Sequence, residues 1–355
     1  MSDVGGRLSR AKKTPGKNGS QGGKGPRPFP GAIGRDVRNR PPASVPTSQG
    51  FVVRRKACAF PGADPTTWFS VKRHQCLAFL LGTREAGRIG ESFFGVKAGF
   101  SGDSMSDLPG TWSQLSIGGH PCDVYEPPRR NEHGYVVIYL HGVRLIGLRD
   151  NAVYCGEFAR HGLPVVVPMT GRSWWTDKIC PEFDANVTAE RHVLDRVLPF
   201  VSERWDASPP RVALLGTSMG GQGALRLALK HPNKFPVAAA VAPAIDYHQR
   251  FYDDNEETLP QMYPDAEAAR QDTAILHVHP LNWPRNLYFA SDPADIRWHD
   301  SAQKLRMKLS ALGIPHECDL ETTGGAHSWE YYDRVGPQAI DFIVRRLEHE
   351  RLRVL

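Results

Sequence analysis

Arg211-Val212-Ala213-Leu214-Leu215-Gly216-Thr217-Ser218-Met219-Gly220-Gly221-Gln222-Gly223-Ala224-Leu225 decides the fold. Residues 211–216 form an apolar, strand-length run, and residues 220–229 carry the pattern of a helix. Between them, small residues at Gly216 and Gly220 allow a sharp strand-to-helix turn that lifts the Ser218 hydroxyl clear of the backbone. The pentapeptide Gly216-Thr217-Ser218-Met219-Gly220 is a weak signal by itself in a chain with 34 glycines. Its place after an apolar strand and before a helix gives it meaning.

Working outward, the same strand–helix alternation recurs. Residues 135–140 are continuously apolar and end in His141-Gly142, as expected of a strand buried on both faces. Residues 163–168 repeat that character. Val193, Leu194, Val197, Leu198 and Val201 follow a helical period, with Pro199 expected to bend the helix. Strands are expected at 237–241, 287–291 and 315–321. A helix is expected over 301–312, with Gly313 as its cap. A last helix is expected from Pro337, with Ile340, Ile343 and Leu347 on one face. Upstream, residues 112–117 and 121–126 flank Gly118-Gly119-His120 and read as a hairpin. Alternation from residue 111 onward implies an α/β fold built on a doubly wound, mostly parallel sheet.

The composition bounds the remainder. The chain has 355 residues, is 40% hydrophobic and 23% charged, and carries a formal net charge of +6. That is enough to bury a full core, and no apolar run approaches the ~20 residues of a membrane span. Residues 1–50 hold ten Lys/Arg, two Asp, ten Gly and seven Pro, a net charge of +8, which leaves −2 for everything after them. They read as a disordered basic tail, and any contact with nucleic acid or an anionic surface is expected to be weak and confined to it. Residues 51–110 read as a poorly defined extension. Cys58, Cys76, Cys122, Cys155, Cys180 and Cys318 are scattered, with no zinc-like spacing. They are expected to be mostly free thiols. The basic N-terminus is followed by no apolar core of a signal peptide, so a cytoplasmic location is expected.

A serine hydroxyl is a poor nucleophile at neutral pH and needs a base within hydrogen-bond reach. His327 is the best placed of 14 histidines, in the loop Gly324-Gly325-Ala326-His327-Ser328 between the last strand and the last helix. The imidazole needs a carboxylate to fix its tautomer, and Ser291-Asp292-Pro293-Ala294-Asp295 supplies two, Asp295 and Asp292. The backbone N–H groups of Met219 and Val143 are candidates for holding a developing oxyanion. His141 then reads as a turn residue, with general base as the rival role.

Three stretches carry a resemblance. Arg172-Ser173-Trp174-Trp175-Thr176-Asp177, then Ser218-Met219-Gly220-Gly221-Gln222-Gly223-Ala224-Leu225 with His231-Pro232, and finally Gly324 to Trp329 resemble the Putative esterase family of α/β-hydrolases. That family includes esterase D-type thioesterases, feruloyl and acetyl-xylan esterases, and mycolyltransferases. The resemblance spans residues 111–350 and nothing in 1–110. It implies an α/β-hydrolase domain cleaving small carboxylic esters through an acyl-enzyme, with no cofactor and no metal. The order Ser218, Asp295, His327 is the one such enzymes use. Asp295 is preferred over Asp292 because hydrolases of this fold usually place the acid a few residues beyond the strand end.

A prolyl-oligopeptidase-like peptidase and an acyltransferase share this triad order and stay as alternatives. A catalytically inert hydrolase fold tethered by the basic tail is the alternative from another class. The family pattern is exceeded at residues 243–284, which read as a cap insertion setting specificity. Within it, His248, His277 and His279 with Asp246 match no familiar metal-ligand spacing. Trp174 and Trp175 read equally as lining of an acyl pocket or as ordinary packing. Oligomeric state is not legible.

Overall fold

Alternating residues of the central strands point to opposite faces, and both faces are apolar. On β3 (Val136–Leu140), Val136, Ile138 and Leu140 enter one core while Val137 and Tyr139 enter the other. β5 (Val212–Thr217) divides in the same way, Val212 and Leu214 against Ala213 and Leu215. A strand buried on both faces requires helices on both sides of the sheet, and that sandwich is what forms. The structure, a computed structural model, describes residues 108–354. The expected tail 1–50, nearly all of the 51–110 extension, and Cys58 and Cys76 lie outside the described residues.

Eight strands form one sheet in the order β1-β2-β4-β3-β5-β6-β7-β8. β1 (Thr111–Ile117) and β2 (His120–Glu126) pair antiparallel around Gly118-Gly119, both at positive φ, and His120 already pairs with Ile117. β2 also runs antiparallel to β4 (Val165–Pro168). From β4 onward every pairing is parallel, through β6 (Val237–Val241) and β7 (Asn286–Ala290) to the short edge strand β8 (Glu317–Asp319). The doubly wound, mostly parallel α/β fold is therefore present. The 315–321 strand shortens because β8 has only one neighbour.

One face carries α1 (Ala152–His161) and α8 (Trp329–Val354), and the other carries α4 (Met219–Lys230) and α7 (His299–Ala311). α1 has its own punctuation: Asn151 accepts the Tyr154 N–H, and Gly162 closes the helix at φ +63°. The helix expected around 193–201 begins earlier. α2 (Ala189–His192) passes through a π turn (Val193–Val197) into α3 (Leu198–Trp205). The bend expected at Pro199 is absorbed there, where the Leu198 N–H reaches back to the Val193 carbonyl.

α8 corrects the sequence expectation, because it starts at Trp329 and runs through Pro337. Tyr331, Tyr332 and Val335 are buried on the face that Ile340, Ile343 and Leu347 continue. Burying three large side chains, at roughly 1.5–3 kcal/mol each, outweighs the ~3 kcal/mol cost of a proline inside a helix.

Residues 243–284 form two 3₁₀ turns (Tyr247–Arg250 and Ala274–His277) and two short helices, α5 (Leu259–Met262) and α6 (Ala266–Gln271). They are tied to α4 by polar bonds. Gln222 donates to the Trp174 carbonyl at 3.0 Å and accepts the Ala274 N–H at 3.0 Å. The buried Arg226 guanidinium bridges Asp272 and Glu190. Cys122, Cys155 and Cys180 are buried free thiols, and Cys318 is half-buried and free. No helix among the described residues is long and apolar enough to cross a membrane.

Candidate active site

The turn between β5 and α4 is made by two close approaches. A Cβ at Gly216 would lie 2.1 Å from the Gly220 carbonyl oxygen, and a Cβ at Gly220 would lie 1.8 Å from that of Leu140. Only glycine fits either position, so the end of β3 and the start of α4 press together beneath the serine. Ser218 then sits at φ +55°, a conformation rare for a non-glycine residue. Its N–H bonds the Val241 carbonyl at 2.9 Å, and its own carbonyl accepts from Gln222 and Ala244. The strain is thus held from three directions.

Ser218 Oγ lies 2.8 Å from His327 Nε2, and His327 Nδ1 lies 2.7 Å from Asp295 Oδ2. Asp295 is 3% exposed and also accepts the Trp298 N–H at 3.3 Å. His327 packs edge-on to Tyr332, with ring centroids 5.6 Å apart, and the Trp298 ring lies tilted to it at 6.3 Å. Three residues distant in sequence are therefore joined in one hydrogen-bonded line from hydroxyl to carboxylate.

Asp292 does something else. Fully buried, it accepts the N–H groups of Gly324 at 2.7 Å and Ala326 at 2.8 Å through Oδ2, and that of Ala294 at 2.7 Å through Oδ1. Burial alone would raise this carboxyl, but the three backbone donors hold it below its ordinary value. It fastens the loop that carries His327, where Ala326 adopts φ +56°. Sequence spacing does not reveal this anchoring role, nor that Tyr332 packs on His327. The stretch Asp292-Pro293-Ala294-Asp295 offers two acids, with Asp295 preferred, and nothing in their spacing marks the other as a loop anchor.

Met219 is the first residue of α4, so its N–H has no acceptor within the helix. Among the described residues the Val143 N–H likewise has no hydrogen-bond acceptor. Gly142, which precedes Val143, abuts Ser218: a Cβ there would lie 3.3 Å from the serine Cβ. His141 is fully buried, accepts the Thr170 N–H at Nε2 (3.1 Å), and has Nδ1 2.9 Å from the Gly142 carbonyl. Burial pushes it down to about 4, with the Gly142 carbonyl pulling weakly the other way. It is a neutral turn residue, and it does not reach the serine.

Trp174 and Trp175 resolve towards packing. Both are completely buried at positive φ, so neither lines an acyl pocket open to solvent. Trp174 stacks on Tyr247 at 4.9 Å. Trp175 donates its indole N–H to the His141 carbonyl at 3.2 Å and fills the space left by Gly223. The histidines of 243–284 are dispersed: His277 faces Asp272 at 3.0 Å, and His279 accepts the Leu281 N–H. Among the described residues Glu157, His161 and Asp341 do gather, but the Arg160 guanidinium already bonds both carboxylates.

The Putative esterase family model matches residues 120–334. The chain is similar to the S-formylglutathione hydrolase of Bos taurus, 27% identical over 141 residues, and to that of Mus musculus, 31% identical over 141 residues. Each match covers 34% of this chain, and the chain spans about half the length (50%) of these curated relatives. Among solved structures, it resembles an S-formylglutathione hydrolase from Agrobacterium tumefaciens, with a TM-score of 0.54, 18% identity, and coverage of 67% of this chain and 94% of that one. It also resembles the fluorophosphonate-binding serine hydrolase F of Staphylococcus aureus, with a TM-score of 0.51, 18% identity, and coverage of 66% and 99%. Those two likenesses speak to the fold. With the family match extending from β2 into α8, the chain belongs to the Putative esterase family of α/β-hydrolases.

Proposed function

We propose that the protein is a serine hydrolase that cleaves small carboxylic esters through an acyl-enzyme. The observation that carries this reading is the continuous line from Ser218 Oγ through His327 to Asp295, with steps of 2.8 Å and 2.7 Å. In the reacting tautomer Nδ1–H donates to Asp295 and Nε2 is free to take the serine proton. Ser218 Oγ attacks the ester carbonyl as its proton passes to Nε2. The N–H groups of Met219 and Val143 receive the oxyanion, and His327 then gives its proton to the departing alcohol. Water repeats the sequence on the acyl-enzyme, losing its proton to His327, which passes it to Ser218 Oγ as the Oγ–acyl bond breaks and the acid departs.

The catalytic domain is read as residues 111–350, with 243–284 bound along α4 as the cap that shapes specificity. A cytoplasmic, reducing setting suits the buried thiols Cys122, Cys155 and Cys180. Hydrolysis of p-nitrophenyl acetate by wild type, reduced about 10⁴-fold or more in Ser218→Ala, tests the reading. Equal slow rates from the two folded proteins would overturn it.

A further inference from the structure

A cavity of about 360 Å³ opens beside the candidate catalytic loops, lined by Asp123, Ile146, Arg149, Asp150 and Trp329 among others. Its volume is in the range of small-ligand sites. Two of its walls continue directly from the reacting groups. Trp329 is two residues beyond His327, and both rings pack against Tyr332, at 5.3 Å and 5.6 Å. Ile146 and Gly147 lie on the loop that begins with Gly142 and Val143. The cavity thus adjoins the two loops that carry His327 and Val143.

Asp123 gives the cavity its chemistry. It sits on β2 and is only 7% exposed. Its Oδ1 faces Gln114 Nε2 and Arg149 Nη1, each at 3.5 Å, the outer limit of a hydrogen bond. Its Oδ2 has no hydrogen-bond partner among the described residues and lies against Gly147, where a Cβ would approach to 3.3 Å. That oxygen is not sealed from solvent, so a donor carried by a ligand in the cavity can reach it, and a charged donor makes the stronger bond. Asp150 adds a second negative charge against the single Arg149, whose side chain is 44% exposed and meets Asp123 only at 3.5 Å. The Trp329 indole offers an aromatic surface of the kind that attracts cations.

We propose that this cavity is a leaving-group subsite for a primary ammonium, which donates to Asp123 Oδ2 and rests beside Trp329. The inference depends on the esterase reading of Ser218 for the word "leaving-group", while the ammonium site stands on its own geometry. A carboxylate-bearing alcohol is disfavoured there by Asp123 and Asp150. A hydroxyl-ended one satisfies Oδ2 without the gain in charge pairing.

The test uses the phenolic acetates of tyramine and tyrosol, 4-(2-aminoethyl)phenyl acetate and 4-(2-hydroxyethyl)phenyl acetate, which differ only in an ammonium or a hydroxyl end. Wild type should prefer the tyramine ester by about tenfold or more in kcat/KM, the size of one charge-assisted hydrogen bond. In Asp123→Asn, and in Ile146→Lys, which sets a competing ammonium at the exposed rim, that ratio should fall close to one. In parallel, tyramine should bind Ser218→Ala in a calorimetric titration, and binding should be lost when Asp123→Asn or Ile146→Lys is added. A ratio near one in wild type, or a preference that survives both variants, overturns the proposal, as does failure of tyramine to bind Ser218→Ala. If neither ester turns over but tyramine binds in an Asp123-dependent way, the ammonium site holds and the esterase reading falls.

Discussion

Asp292 Oδ2 accepts the Ala326 N–H at 2.8 Å, so one carboxylate fixes the residue directly before His327 while its neighbour Asp295 meets the imidazole itself. Removing either acid should lower turnover, but by different routes. Asp295→Ala should cost about 10³- to 10⁴-fold in kcat, with little change in melting temperature. Asp292→Ala leaves three backbone N–H groups without their acceptor, and should destabilise the fold by ~3 kcal/mol as well as reduce turnover. Thermal melts beside kinetics separate the two. An Asp295→Ala protein that turns over normally, or an Asp292→Ala protein that melts like wild type, would contradict these assignments.

Glu190 lies at the centre of the polar network that joins α2 to α4. Burial alone would raise its carboxyl, but His231, Arg226 and Lys230 together hold it down at about 2. Because the folded carboxyl ionises below the unfolded one, its share of the stability is complete above about pH 4.3 and is lost as the pH falls towards 2. Glu190→Gln leaves the buried Arg226 short of one counter-charge and should cost ~3 kcal/mol at pH 7. Urea unfolding should show the gap between variant and wild type narrowing steadily below pH 4. A gap of constant size down to pH 2.5 would rule out this ionic contribution.

Two glycine-to-alanine changes should move stability in opposite directions. Gly220→Ala drives a methyl group into the Leu140 carbonyl, and should prevent folding or cost more than ~3 kcal/mol. Gly156→Ala meets nothing within 4 Å and lies inside α1, so helix propensity alone should stabilise the protein by ~0.5–1 kcal/mol. Chemical denaturation of the two proteins gives both signs. A well-folded Gly220→Ala protein would contradict the close approach of Gly220 to the Leu140 carbonyl beneath Ser218.

The sheet was legible because β3 and β5 are short, continuous apolar runs that only a doubly covered strand can satisfy. The G-x-S-x-G turn was legible because its glycines answer to local contacts: a Cβ at Gly216 or at Gly220 would strike neighbouring backbone. α1 went unread although Asn151 and Gly162 mark its ends. The start of α8 was misplaced because Pro337 resembles a first-turn proline, while the burial of Tyr331 and Tyr332 that carries the helix through it depends on distant partners. The division of labour between Asp292 and Asp295 was illegible for the same reason. It is decided by which of two nearby carboxylates faces Gly324 and Ala326 and which faces His327, and that is a property of packing between β7, β8 and the loop that follows.

The most direct test of the central claim is covalent labelling by a fluorophosphonate, followed by mass-spectrometric mapping of the adduct. Wild type should carry the phosphonyl group on Ser218 alone. Labelling should vanish in Ser218→Ala and slow sharply in His327→Ala. A folded wild-type protein that shows no Ser218 adduct under saturating probe would contradict the claim that Ser218 is an activated nucleophile.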